Sequence, residues 1–274
     1  MTSPTLSLAL KFLEEEPQAA ARRLELEAPA HIAALLNKAP RHNAARVLCQ
    51  MLPAFAAPVM SAMSQEQAGH LMQELNQAEI AAILRHVPDS STLLSLLPVR
   101  KQRGCELLMA YPEYTVGAWT ETDLLVLDGQ MEVQEALLRL KKKAFSETHD
   151  IFVVNRDRQV VGCLSVYELI RRPGNSQVQT LMQKGVATLS GYTELEAALK
   201  MPLWRDDDAV AVVNLMQEFI GVIHHHQLLR ALHRTERAEE NLSATADIIG
   251  TYSSTIQAML DLLSPALAPR RQRN

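Results

Sequence analysis

The 274-residue chain is poor in aromatic residues, at 4%, and holds only 10 glycines and 3 cysteines. So few glycines leave little material for a phosphate-cradling loop, and no Walker loop, G-x-S-x-G or H-E-x-x-H pattern occurs. The sequence therefore predicts a protein that is not an enzyme. Cys49, Cys105 and Cys163 stand far apart in apolar segments and form no CxxC pair or disulfide framework, which predicts a reducing, cytoplasmic setting. Met1 to Leu10 lacks the basic start of a signal peptide, and Glu14, Glu15 and Glu16 follow at once. No segment reaches the roughly 18 apolar residues of a membrane-spanning helix. The nearest attempt, Ile256 to Leu267, is interrupted by Gln257, Asp261, Ser264 and Pro265. An excess of positive charge is also missing: the formal net charge is -4, so no global field attracts nucleic acid or anionic lipid. Arg270, Arg271 and Arg273 read as a solvated tail.

What is present is Leu, Ala and Met within a 47% hydrophobic content, a mixture suited to helix packed on helix. Ala68, Leu71, Met72 and Leu75 form one stripe of an amphipathic helix. The same stripe returns twelve residues later as Ile80, Ile83, Leu84 and Val87. It runs backwards at the same step through Ala56, Val59, Met60 and Met63, then Ala44, Val47, Leu48 and Met51, then Ile32, Leu35, Leu36 and Ala39. After a slip it reappears as Leu93, Leu96 and Leu97. Pro29, Pro40, Pro53 and Pro88 sit at the joints, where they forbid one continuous helix. Ser64 with Gln67 and Asn76 with Glu79 have capping-box spacing. Helices this short must stack on their neighbours, which predicts a helical solenoid over 29–112 after a helical lead-in over 1–28.

Beyond Tyr114 the grammar changes to strand, helix, strand, strand, helix. Phe152-Val153-Val154-Asn155 is answered 59 residues later by Ala211-Val212-Val213-Asn214. Val161-Gly162-Cys163-Leu164 is likewise answered by Ile220-Gly221-Val222-Ile223, and Leu169 by Leu228. Upstream, Glu135-Ala136-Leu137 is set against Glu196-Ala197-Ala198 as the opening of the preceding helix.

The strand pair, the glycine within its second strand and the helix beginning Ser-x-x-Glu resemble the cystathionine-β-synthase (CBS) domain. A twelve-residue helical repeat upstream of two such copies, joined through Tyr111-Pro112-Glu113-Tyr114-Thr115-Val116-Gly117, resembles the cytosolic part of MgtE-type magnesium transporters, here without a transmembrane domain. The implied fold class is α+β multidomain: an N-terminal α-solenoid, a tandem CBS (Bateman) α/β module with copies at 113–175 and 176–234, and a C-terminal connecting helix and tail over 235–274.

The resemblance implies a regulatory module that binds Mg²⁺, an adenine nucleotide (AMP, ADP or ATP), or both, and signals to a partner by interdomain rearrangement. It implies a homodimer through the CBS copies. The partner is a transporter acting in trans or another protein, with neither nucleic acid nor a membrane span involved. A ligand-independent dimeric scaffold is the alternative. Facing carboxylates repel, and a hard divalent cation cancels the repulsion, so the implied Mg²⁺ candidates are Asp123, Asp150, Asp206, Asp207 and Asp208. Asp206 to Asp208 read equally well as a solvated acidic turn before a strand. For the nucleotide, Ser165 and Glu168 keep the family's hydroxyl and carboxylate, although Ser-x-x-Glu is also a helix cap. The second copy has His224-His225-His226-Gln227 at the matching place and keeps neither group. Adjacent histidines on a strand point to alternate faces, which argues against one shared transition metal. Trp119 and Trp204 are expected to pack at domain joints.

Overall fold

The computed structural model describes residues 4–142, 150–205 and 207–238. The solenoid consists of α1 (Pro4–Glu15), α2 (Pro17–Leu24), α3 (Pro29–Leu36), α4 (Arg41–Gln50), α5 (Pro53–Ala62), α6 (Gln65–Glu74), α7 (Gln77–Leu84), α8 (Ser90–Leu94) and α9 (Val99–Met109). Pro17, Pro29 and Pro53 open their helices, where a missing N–H costs nothing and a fixed φ suits the first turn. Both expected capping boxes form: the side chains of Ser64 and Asn76 accept from Gln67 and Glu79 N–H, and those residues reach back to the cap N–H groups. Pro58 lies inside α5 and not at a joint, with its ring on the exposed side.

Each helix packs on its next-but-one neighbour, α2 on α4 on α6 and α3 on α5 on α7 on α9, so the helices alternate between two layers. The repeated apolar stripes meet between the layers. Val47, Leu48, Val59, Met60, Met72, Ile80 and Leu84 are all at most 1% exposed there. Removing such side chains from water stabilises the stack by about 1.5–3 kcal/mol each, which offsets the marginal stability of two- to three-turn helices.

The first CBS copy contains β1 (Val126–Asp128), α10 (Val133–Lys142), β2 (Asp150–Val154), β3 (Val160–Ser165) and α11 (Val166–Arg171). The second contains β4 (Thr188–Ser190), α12 (Leu195–Leu199), β5 (Ala209–Val213) and β6 (Phe219–His224), followed by helical residues 225–232, here α13. Each sheet has a parallel outer pair and an antiparallel hairpin, in the orders β1-β2-β3 and β4-β5-β6. The hairpins match at a shift of 59 residues, whereas Leu127 and Val133 match Leu189 and Leu195 at a shift of 62. Ala136 therefore corresponds to Ala198, one place from the pairing that sequence suggested, because the buried position fixes the helix register. Of the C-terminal helix expected over 235–274, residues 235–238 are described and helical, and Glu239 to Ile249 lie outside the described residues.

The copies exchange their leading segments. Glu121, ahead of the first sheet, bridges to Val222 of the second, and Gln183, ahead of the second sheet, bridges to Cys163 of the first. The cores follow: Val116, Ala118 and Trp119 pack with Leu189, Val212 and Ile223, while Val178, Leu181 and Met182 pack with Leu127, Val153 and Leu164. Gly162 and Gly221 are required by this exchange. A Cβ on Gly162 would lie 2.5 Å from the Gln183 carbonyl oxygen, and one on Gly221 would strike the backbone of Glu121. A cut at residue 175 would thus leave each core without part of its own lining.

Candidate ligand cleft between the paired sheets

The sheets turn one face toward each other. Phe152, Ala211, Phe219 and Val222 are buried there with Leu124, and the Phe152 and Phe219 rings stack at 5.9 Å. Strand alternation assigns the ends of this face. Asp150 and Ser165 are directly paired in register and lie on the side of Phe152 and Cys163, while Ala209 and His224 are the paired residues of the second sheet. The Cys163 thiol is pushed above its usual range, first by burial and then by the negative charges of Asp150 and Asp207. Carboxylates from both copies therefore act electrostatically on one half-buried thiol.

At the first copy, Ser165 Oγ accepts from Glu168 N–H at 3.2 Å and caps α11. The Glu168 carboxylate pairs with Arg172 at 3.7 Å, and its side chain is 43% exposed. At the second copy the polarity of the cap is reversed, since Gln227 Oε1 accepts from His224 N–H at 3.3 Å. His224 ends β6, but His225 and His226 begin α13 and are not strand residues as the sequence suggested; His225 N–H still closes the ladder on the Asp208 carbonyl, and the chain is helical from there. His224 Nε2 lies 3.8 Å from Glu121 Oε2, its ring is 5.4 Å from that of His226, and His225 stacks on Trp204.

The remaining Mg²⁺ candidates are dispersed. Asp123 is held by Arg100 at 2.9 Å, Asp207 and Asp208 are exposed, and Asp206 lies outside the described residues. Among the described residues no group of three or more His, Cys, Asp or Glu side chains is arranged to hold a metal ion. Trp119 packs at the joint as expected, whereas Trp204 packs inside the second copy, their indole N–H groups donating to the carbonyls of Glu113 and Ala198.

An asparagine follows the first hairpin strand in both copies, as Asn155 and Asn214. The structure supplies a local reason. Asn155 Oδ1 accepts from Asp157 and Gln159 N–H, Asn214 Oδ1 accepts from Met216 and Glu218 N–H, and each amide donates to the side chain four residues on. An ionised Asp lacks that second donor. The turns place Arg158 and Gln217 at φ values of 59° and 62°, and across the pair the Arg158 carbonyl accepts from Phe219 N–H while the Arg158 guanidinium donates to the Phe219 carbonyl.

Residues 15–114 match the MgtE intracellular N domain family, and residues 116–175 match the CBS domain family. The cytosolic domain of the Mg²⁺ channel MgtE, solved in complex with ATP, superposes with a TM-score of 0.68 at 24% identity, covering 81% of this chain and 92% of that one. The chain has the fold of an MgtE cytosolic region. The soluble part of a magnesium transporter also superposes, with a TM-score of 0.57 at 17% identity, over 83% of this chain and 96% of that one. The magnesium transporter MgtE of Bacillus subtilis (strain 168) is 23% identical over 175 residues, 62% of this chain, and the match spans 38% of the transporter's length. Among the described residues no helix is long and apolar enough to cross a membrane.

Proposed function

We propose that the chain is a regulatory sensor that binds an adenine nucleotide, Mg²⁺ or both in the cleft between its CBS copies, in the cytoplasm, and passes the occupied state to a protein partner. The reading rests above all on the first copy's strand end. Ser165 and Glu168 there keep a hydroxyl and a carboxylate on an MgtE-like fold whose solved counterpart is described as a complex with ATP. The ribose and phosphate of AMP, ADP or ATP would engage these two groups. Asp150 and Asp207, one from each copy and both acting on the Cys163 thiol, are the first candidates for Mg²⁺, a hard cation that takes carboxylate oxygens. Asp123, Asp206 and Asp208 remain lesser candidates for the same ion. Ligand occupancy would favour the arrangement of the copies that binds it better, and that shift in population is the signal. The role is regulatory and not catalytic.

Leu138, Tyr167 and Ile170 lie on α10 and α11, which pack together, and are 52%, 64% and 62% exposed. Their counterparts in the second copy are Lys200, His226 and Leu229. Such an apolar patch suits a homodimer through the CBS copies. It also favours the second reading, a dimeric scaffold that needs no ligand. Melting curves with AMP, ADP and ATP, each with and without MgCl₂, separate the two, because a ligand that binds the native state raises its stability. A rise with nucleotide that Ser165→Ala and Glu168→Gln abolish is the expected result. An unchanged melting temperature at millimolar nucleotide and Mg²⁺ would leave the scaffold.

A further inference from the structure

The solenoid and the CBS pair meet at a joint that the chain closes with its own groups. Helix α7 serves both cores: Ile80, Ile83 and Leu84 belong to the solenoid, while Ala82, 3% exposed, packs with Tyr111, Val116 and Trp119 in the core of the second CBS copy. At its first residue the Gln77 side chain is 7% exposed. It accepts from the Thr122 hydroxyl on the exchanged segment and donates to the Arg100 carbonyl at 3.4 Å, and its backbone carbonyl faces the Cys105 thiol at 3.7 Å. Gly104 on α9 leaves the room for it, since a Cβ there would lie 2.5 Å from the Gln77 amide. At the other end of α7 the Arg85 guanidinium donates to the carbonyls of Leu108, Met109 and Tyr111, where α9 ends and the chain crosses into the CBS pair.

The charges at the joint are also balanced internally. Arg100 holds Asp123 at 2.9 Å. Lys101 donates to the Met72 and Gln73 carbonyls at the end of α6, and burial lowers its pKa by more than the surrounding negative charges, Asp123 among them, raise it. Arg100 thus already pairs the Asp123 carboxylate, on which a dissolved divalent cation would otherwise act. The described residues up to Leu232 belong to one compact unit.

We infer that Arg100 and Gln77, through Asp123 and Thr122, form a built-in lock, so that the solenoid and the CBS pair move as one body whether or not Mg²⁺ is present. This rests on the sensor reading only for its consequence: ligand-driven change is then confined to the two CBS copies and does not swing the solenoid. The lock itself is independent of any ligand.

Hydrogen exchange of the full chain, read in residues 120–125 and 77–84 with EDTA and with millimolar MgCl₂, tests it. The wild type should show the same protection in both conditions. Arg100→Glu, a surface change that leaves the cores intact, should speed exchange in 120–125 by about tenfold while α4 and α5 keep their protection. The swap Arg100→Asp with Asp123→Arg should restore it. Gln77→Ala should act as Arg100→Glu does, provided α4 and α5 report a folded chain. If EDTA alone speeds exchange in 120–125 of the wild type as much as Arg100→Glu does, a dissolved cation closes the joint and the inference is overturned. Nucleotide melting curves on the same samples keep the readings apart, because absent nucleotide binding with unchanged protection removes the sensor reading and leaves the lock.

Discussion

The two CBS copies agree where the backbone must fit and differ where a ligand would be held. Gly162 and Gly221 both press on an exchanged segment, Arg158 and Gln217 both take a left-handed turn, and Val153 and Val212 are both fully buried. At the strand ends the first copy offers Ser165 and Glu168, and the second His224 and Gln227. Positions that carry the fold are thus constrained by packing in both copies, while chemistry at the strand ends is free to diverge. The pseudo-symmetry is a property of the scaffold and does not extend to the sites.

The largest test of that comparison is at the glycines. Gly221→Ala drives a methyl into the Glu121 backbone, and Gly162→Ala meets the Gln183 carbonyl with the more pliable Met182 side chain beside it. Losses of about 3 and about 2 kcal/mol in urea unfolding are expected. Equal and negligible losses would mean the exchange is loose. Next comes the cap. Ser165→Ala should cost about 1 kcal/mol. Grafting the first copy's groups onto the second through His224→Ser with Gln227→Glu should double the nucleotide stoichiometry in calorimetry, if the strand ends alone distinguish the sites.

A smaller effect is expected at Cys163, whose counterpart is Val222. The native thiol holds its proton more tightly than an unfolded one, because burial and the charges of Asp150 and Asp207 raise its pKa. That contribution is complete below the ordinary value of 9.0 and is lost as pH rises from there through the native value. Cys163→Val should cost less than about 1.5 kcal/mol at neutral pH and should lessen the alkaline decline in urea midpoint. Cys105, pushed up to about 12 by burial, leaves its own alkaline decline in both proteins. The smallest effect is at the turn tips, where Leu215 and Met216 are 76% and 77% exposed and the first copy has Arg156 and Asp157. Leu215→Arg with Met216→Asp should change stability by no more than about 0.5 kcal/mol.

The solenoid was legible because its determinants are local. A twelve-residue stripe, prolines at helix starts and two capping boxes each act within one helix, and the helices form where these signals lie. The CBS hairpins were legible for the same reason, through alternation around Asn155 and Asn214. The candidate site was legible only as residue types. Ser165 and Glu168 were found from their motif, and the i,i+4 spacing of Glu168 and Arg172 is a local signal for their pair, but nothing in the sequence tells that Asp123 is taken by Arg100 or that Asp150 and Asp207 act on one thiol. The one-place error in matching Ala136 to Ala198 has the same origin, since the spacing between helix and hairpin differs between the copies and only burial shows it.

By itself, then, the sequence determined the order of elements, the twelve-residue stack and the presence of two mixed copies, because hydrophobic period and end signals act over a few residues. Tertiary structure alone decided that Glu121 lies on Val222 and Gln183 on Cys163, that α7 belongs to two cores, and that the joint carries its own cation. Those contacts join residues far apart in the chain, and long-range pairing leaves no periodic trace for a sequence to display.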